Sequence, residues 1–213
     1  MPYAVKEMFA TLQGEGAHTG RASIFCRFTG CNLWSGREQD RHKAACTFCD
    51  TDFLGTDGPG GARFETPEAL ADALALRWYE AAGESEGRYV VFTGGEPLLQ
   101  VDPPLIAAVH ARGFEIAIES NGTLEAPEGI DWICVSPKPS SRIVQRSGHE
   151  LKLVFPQESL PPSTFDSWDF SQFWLQPMDG PDRAANTAAA VAYCQKNPRW
   201  RLSLQTHKLI GIP

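Results

Sequence analysis

The sequence predicts an α/β fold, an open, partial (β/α) barrel with about six parallel strands and three long helices. Short apolar runs recur without clean alternation, as strands covered on both faces do. Three capped helical stretches separate some of these runs, whereas the connections at 121–129 and 136–149 show no long helical pattern. The 213 residues also fall short of the about 250 residues and eight helices of a complete barrel. A doubly wound open sheet is the alternative that the same pattern allows.

The strands are read at 22–28, 89–92, 114–118, 132–135, 151–155, 173–175 and 201–204. A first helix opens at Thr66 with Pro67 in its first turn, and Leu70, Ala73, Leu74 and Trp78 form its apolar stripe. The second starts after Asp102 with Pro103 and stops at Gly113. The third runs from about Asp182 to Asn197 and is ended by Pro198. With no repeat and no low-complexity linker, residues 1–213 are expected to form a single domain. The glycine-rich 55–62 segment is the expected mobile stretch.

A formal net charge of −7 and the lack of a basic tract argue against capture of nucleic acid. No apolar run approaches the ~20 residues of a membrane helix. A small-molecule substrate in the cytoplasm is the expectation. No secretory leader is read at the start, so the six cysteines are expected to be reduced thiols rather than disulfides.

Three of those cysteines, Cys31, Cys46 and Cys49, share one stretch after the strand at 22–28. A closed structural site wants four protein ligands, so three thiolates leave a metal position open. Spacing alone does not choose the metal. A Cys3His zinc site using His42 or His18 and a three-cysteine cluster both fit. Cys26, Cys134 and Cys194 fall inside elements and read as small buried hydrophobes. Arg27 alternates with Phe25 and Ser23 on an apolar strand. A buried guanidinium needs an anionic partner, either a glutamate of the fold or a substrate carboxylate.

The neighbours add motifs in a fixed order. They are Leu12-Gln13-Gly14-Glu15-Gly16, Gly30-Cys31-Asn32-Leu33, Cys49-Asp50-Thr51, Thr93-Gly94-Gly95-Glu96-Pro97, Glu119-Ser120-Asn121-Gly122, Ser136-Pro137-Lys138 and Gln176-Pro177-Met178-Asp179. Together they resemble the radical S-adenosylmethionine enzymes, and among them the 7-carboxy-7-deazaguanine synthase family, from about Phe9 to the last residue. One departure is visible. The superfamily spaces its cysteines Cys-x3-Cys-x2-Cys, whereas fourteen residues separate Cys31 from Cys46 here. The polar 34–45 insert is expected to be a solvated loop.

The resemblance implies a truncated barrel and a lyase that contracts 6-carboxy-5,6,7,8-tetrahydropterin to 7-carboxy-7-deazaguanine with loss of ammonia. It implies a 4Fe-4S iron–sulfur cluster on Cys31, Cys46 and Cys49 whose fourth iron chelates S-adenosylmethionine. The resulting 5′-deoxyadenosyl radical would start the reaction, and the cofactor would be regenerated. Contacts to that cofactor are implied for Phe48, Cys49, Asp50, Gly94, Gly95, Glu96, Ser120, Asn121, Ser136, Pro137, Lys138, Gln176, Pro177, Met178 and Asp179. Contacts to the substrate are implied for Leu12, Gln13, Gly14, Glu15, Arg27, Thr93, His207 and the terminal Pro213. Glu15 and His207 are also candidates for proton transfer, His207 being read on the polar face of the last strand. Thr51 would hold a Mg²⁺ ion. A flavodoxin or ferredoxin electron donor and a homodimer complete the expectation. Two other readings stand beside it, a glycyl-radical-activating enzyme and a Cys3His zinc-binding interaction module.

Overall fold

One nine-stranded sheet organises the chain, and its strand order decides between the two architectures. The computed structural model describes residues 2–213. The strands are β1 (Tyr3–Leu12), β2 (Ala22–Phe28), β3 (Ala62–Phe64), β4 (Tyr89–Gly94), β5 (Glu115–Ser120), β6 (Trp132–Val135), β7 (Ser147–Phe155), β8 (Asp169–Pro177) and β9 (Trp200–Leu202). They lie in the order β3-β1-β2-β4-β5-β6-β7-β8-β9. From β2 to β9 every pairing is parallel. Among these parallel strands the order never reverses, so the sheet has no switch point of the kind a doubly wound fold requires. It is an open partial barrel with seven parallel strands, one more than the expected six.

β1 and β3 were not among the strands read from sequence. Both pair antiparallel on the β2 side of the sheet. In β1 the alternation that marks a strand is broken by an irregularity between Val5 and Glu7, which leaves Lys6 buried beside them. The same shift sets Glu7 directly across from Arg27 on β2.

The helices are α1 (Pro67–Ala82), α2 (Pro103–His110), α3 (Arg183–Lys196) and a short α4 (Thr206–Ile210). Thr66 and Asp102 cap α1 and α2 as the sequence suggests, accepting from the Ala69 and Leu105 amides at 3.1 and 3.0 Å. Leu70, Leu74 and Trp78 of α1 join Leu105 and Val109 of α2 against the outer face of β1, β2, β4 and β5. A second core, with Leu151, Phe173, Leu175 and Trp200, lies under α3. Truncating a fully buried leucine such as Leu74 to Ala would cost roughly 2–5 kcal/mol.

One expectation about loops changes, and the other gains detail. The 55–62 segment is pinned by backbone bonds, Gly58 N to Lys6 O at 3.0 Å and Met8 N to Pro59 O at 2.7 Å. At Gly61 a Cβ would sit 2.2 Å from Lys6 O, so this glycine is required by close packing rather than by mobility. The 34–45 insert is ordered as well. It holds a six-residue 3-10 turn (Glu38–Lys43), and Trp34 packs edge-on against Phe53.

The connection from β1 to β2 closes the gap in the barrel. Residues 13–21 turn inward, where Gly16 N donates to Ser203 Oγ and Ala17 N to Glu150 Oε2, both at 2.9 Å. A Cβ on Gly16 would meet Glu150 Oε2 at 2.5 Å, which fixes glycine at that contact. His18 continues to the closed end and lies against Tyr89 and Trp132.

Candidate active site

A cavity of about 510 Å³ opens beyond the carboxyl ends of the parallel strands. This is where ligands gather in such sheets, and its size suits a cofactor with a small substrate. Phe48, Cys46, Cys49, Asp50 and Thr51 line it from the cluster loop, and Thr93, Gly94 and Gly95 from the end of β4. Ser120, Asn121, Ser136 and Lys138 follow from β5 and β6, and Gln176, Pro177, Met178 and Asp179 from β8. Gln13, Glu15, Arg27, His207 and Pro213 line it as well.

Leu12, Gly14, Cys31, Glu96 and Pro137 are not part of the wall. The Glu96 side chain, expected at the cofactor, is turned into the fold and has no exposed surface. It caps the short turn Pro97–Leu99 through Leu98 N and accepts from Ser120 Oγ at 3.0 Å and Asn121 N at 2.7 Å. It ties the ends of β4 and β5 together, and burial pushes its carboxyl up despite those donors. The sequence suggests Gly94 and Gly95 as glycines for close cofactor approach. A Cβ there would stand 2.2 Å from Phe28 O and 2.0 Å from Gly30 O, so the neighbouring loop already demands them.

His207 lies on α4 rather than on the last strand, because the chain turns away after Leu202 and re-enters as a helix. A Cβ on Gly14 would be 2.2 Å from His207 Nδ1, so the imidazole rests on the bare Gly14 backbone. Burial lowers the His207 pKa, against the pull of the Glu15 charge. The chain end is docked. Thr11 Oγ1 donates to Pro213 O at 2.7 Å, and Lys208 Nζ pairs with Asp50 and Asp179, both at 2.7 Å.

Arg27 resolves toward both of its readings. Its Nε donates to Glu7 Oε1 at 2.8 Å, the cross-strand partner set by the β1 irregularity. Its side chain also lines the cavity. Gln176 is committed within the protein, donating to Glu15 Oε1 at 2.9 Å and accepting from Ser203 Oγ at 3.2 Å. Lys138 Nζ reaches Ser136 Oγ at 2.6 Å. Thr51 sits between two aspartates that are taken up by lysines, Asp50 by Lys208 and Asp52 by Lys6.

The wall also holds groups missed in the sequence. Lys152 and Glu119 are the most consequential. Lys152 interrupts the apolar run Leu151–Phe155 as Arg27 interrupts its strand, and that signal was legible. Cys134 proves to be more than a small hydrophobe, since its buried thiol lies within 4.8 Å of carboxylate oxygens of Glu119 and Glu150.

The three loop cysteines can be tested for the kind of metal they fit. Cys46 and Cys49 share a hydrogen bond, which draws the Cys49 thiol down to about 6 against burial and pushes Cys46 up. Thiolates on one tetrahedral zinc would lie about 3.8 Å apart, given Zn–S bonds of about 2.3 Å. Among the described residues, the only trio of His, Cys, Asp or Glu ligand atoms within 4.8 Å of one another is Glu119, Cys134 and Glu150. Cys31, Cys46 and Cys49 form no such close set with one another or with a histidine, as a closed zinc site would require, so three thiols on one stretch fit a three-cysteine cluster better. His18, one candidate fourth zinc ligand, is stacked on Tyr89 instead. The insert props the cysteine turn, because Arg41 stacks over Trp34 and donates to Thr47 O and Cys49 O, both at 2.9 Å.

Comparison with known proteins identifies the family. No family model matches the chain. Full-length relatives do. The 7-carboxy-7-deazaguanine synthase of Caulobacter vibrioides is 63% identical over 213 residues, with all of both chains covered. That of Bordetella pertussis is 64% identical over the same length, again covering both chains completely. The chain belongs to the 7-carboxy-7-deazaguanine synthase family. It is an enzyme, and the family is one of radical S-adenosylmethionine lyases of queuosine biosynthesis acting on a small molecule. The crystal structure of QueE from Escherichia coli superposes with a TM-score of 0.67 at 28% identity, covering 97% of this chain and 95% of that one.

Proposed function

We propose that this chain is a single-domain catalyst converting 6-carboxy-5,6,7,8-tetrahydropterin to 7-carboxy-7-deazaguanine with loss of ammonia. The observation that carries the reading is a polar cavity at the carboxyl ends of the strands into which Cys46 and Cys49 open, with Cys31 following the end of β2. In this reading Cys31, Cys46 and Cys49 hold a 4Fe-4S cluster, and S-adenosylmethionine binds along Phe48, Gly94, Gly95, Ser136 and Lys138. When bound, that pair supplies the one-electron chemistry that opens the reaction.

The chain's own residues do the rest. Gln13 presents a donor and an acceptor to the pterin edge. Arg27 offers the guanidinium nitrogens not used by Glu7 to the substrate carboxylate. Thr51 offers a neutral hydroxyl oxygen to Mg²⁺, whose remaining ligands are substrate oxygens and water. His207 stands where a proton can be taken up or returned, and Glu15, held ionised by Lys152, supplies negative charge beside it. Pro213 and α4 cover the pocket from the side and keep water out. A flavodoxin or ferredoxin donor, a homodimer and a cytoplasmic setting belong to the same proposal.

The test is anaerobic reconstitution. Wild type is expected to bind iron and sulfide and to turn the pterin over, with activity raised by Mg²⁺. Cys46→Ala should lose both iron and turnover, whereas Cys194→Ala should keep both. Stoichiometric zinc without acid-labile sulfide would overturn the proposal.

A further inference from the structure

The most concentrated buried charge in the protein lies in the wall of this cavity. Lys152, on β7, is 4% exposed. Its Nζ lies 2.7 Å from Glu15 Oε2, 2.8 Å from Glu119 Oε2 and 3.0 Å from Glu119 Oε1. An ammonium has three N–H groups, and these contacts use all of them. The two carboxylates come from separate parts of the chain, Glu15 from the inward loop 13–21 and Glu119 from the end of β5. Lys152 thus bridges elements that share no backbone ladder.

We infer that Lys152 is a positioning residue, which clamps Glu15 and Glu119 in fixed orientations so that both turn acceptor oxygens toward the substrate. The inference rests on the function proposed above and goes a step further, because it assigns the reacting face of the pocket to a group that never touches the pterin.

The surroundings support the clamp. Glu15 Oε1 accepts from Gln176 Nε2 at 2.9 Å and Gln205 Nε2 at 3.1 Å, and Gln176 is itself held by Ser203 Oγ at 3.2 Å. The other titratable groups facing the cluster are Glu150, Cys134 and His207. Two carboxylates this close cannot both stay ionised without a cation between them. Burial pushes Glu15 up, but the Lys152 charge and its hydrogen bond, with that from Gln205, outweigh burial and hold it at about 2. Glu119 is pushed up by burial, with Glu150 and Glu15 adding to that against Lys152. The Glu119–Cys134–Glu150 trio therefore reads as the cradle of a built-in ammonium, not as a site for a metal ion.

The experiment compares Lys152→Met and Lys152→Arg with wild type, each with reconstituted cluster. Lys152→Met should lower kcat/KM for the pterin by about 100-fold, the scale of a small misplacement in a reacting site. Iron content and S-adenosylmethionine binding should not change, and the acid limb of kcat/KM should move to higher pH. Lys152→Arg should restore most of the loss and the original limb. In cluster-free protein, infrared spectra should show more protonated carboxyl at neutral pH in Lys152→Met than in wild type. Unchanged kcat/KM, equal loss in both variants, or loss of S-adenosylmethionine binding in step with turnover would overturn the inference. If Lys152→Met does not fold, Lys152→Met/Glu150→Gln removes one negative charge with the positive one, at a carboxylate outside the cavity wall. Full recovery of kcat/KM in that variant would mean that Lys152 only balances charge, and persistent loss supports the clamp. If wild type itself makes no product, the proposed function fails, and the infrared comparison still decides the role of Lys152.

Discussion

The two ends of the barrel interior are built from the same strands a few residues apart, yet they are held by different forces. At the closed end, Tyr89, His18, Trp132 and His149 form a continuous pile of rings with centroids 5.3, 4.3 and 4.7 Å apart. Arg21 lies over Tyr89 at 3.7 Å and pairs with half-exposed Glu115 at the rim. At the open end the strands carry Arg27, Thr93, Glu119, Ser136, Lys152 and Gln176, and the filling is charge and hydrogen bonds. Ring packing gains from burial and leaves one buried donor of the pile, Trp132 Nε1, unpaired. Buried ions gain little net stability, because desolvation offsets most of their attraction. The closed end is therefore where the barrel is stabilised, and the open end is where stability is given up for chemistry.

Substitutions at the two ends should separate these roles. The largest effect on stability is expected for Tyr89→Ala, which removes a buried ring and should cost about 3–5 kcal/mol in denaturant unfolding. The KM of its folded fraction should stay unchanged. A loss of substrate affinity with unchanged stability would erase the distinction between the ends.

Next in size is the acid limb of stability. The Glu15 carboxyl sits at about 2 in the fold against an ordinary 4.5. Its contribution is complete above the ordinary value and is lost as pH falls from there through about 2, an effect of about 3 kcal/mol. Glu15→Gln should flatten acid unfolding in that window, and a curve as steep as wild type would remove Glu15 as its source.

Arg27→Lys should raise the pterin Kd about tenfold, or about 1.4 kcal/mol, and leave S-adenosylmethionine binding alone. Equal weakening of both ligands would make Arg27 a structural partner of Glu7 only. Smallest is Arg21→Met at the closed rim. A part-exposed ion pair is worth about 0.2–1 kcal/mol, so a small shift in Tm with full activity is expected.

Much of the fold and the site was legible in residue order. The seven apolar runs, the capped helices at Thr66 and Asp102 and the cysteine stretch are local signals, and each appears where the sequence put it. Local pattern could not show β1, whose alternation is broken at Lys6, nor what the inserted loop does once Arg41 folds it back on Cys49. Glu96 shows the limit best. As a motif residue it reads as a ligand contact, yet its carboxylate is consumed by Ser120 and Asn121, more than twenty residues away.

The sequence by itself determined the fold class, the three metal-binding cysteines as candidates and the family, because these rest on periodicity, spacing and short motifs. Only the tertiary structure decided which polar residues face the pocket and which are spent holding it together. That choice depends on partners brought near by strand order and by the inward 13–21 loop. Lys152 lies between Glu15 and Glu119, 137 and 33 residues away in the chain, and no local pattern carries information over that distance. Whether a buried charge is a ligand, a clamp or an error is settled by what stands within hydrogen-bond reach of it.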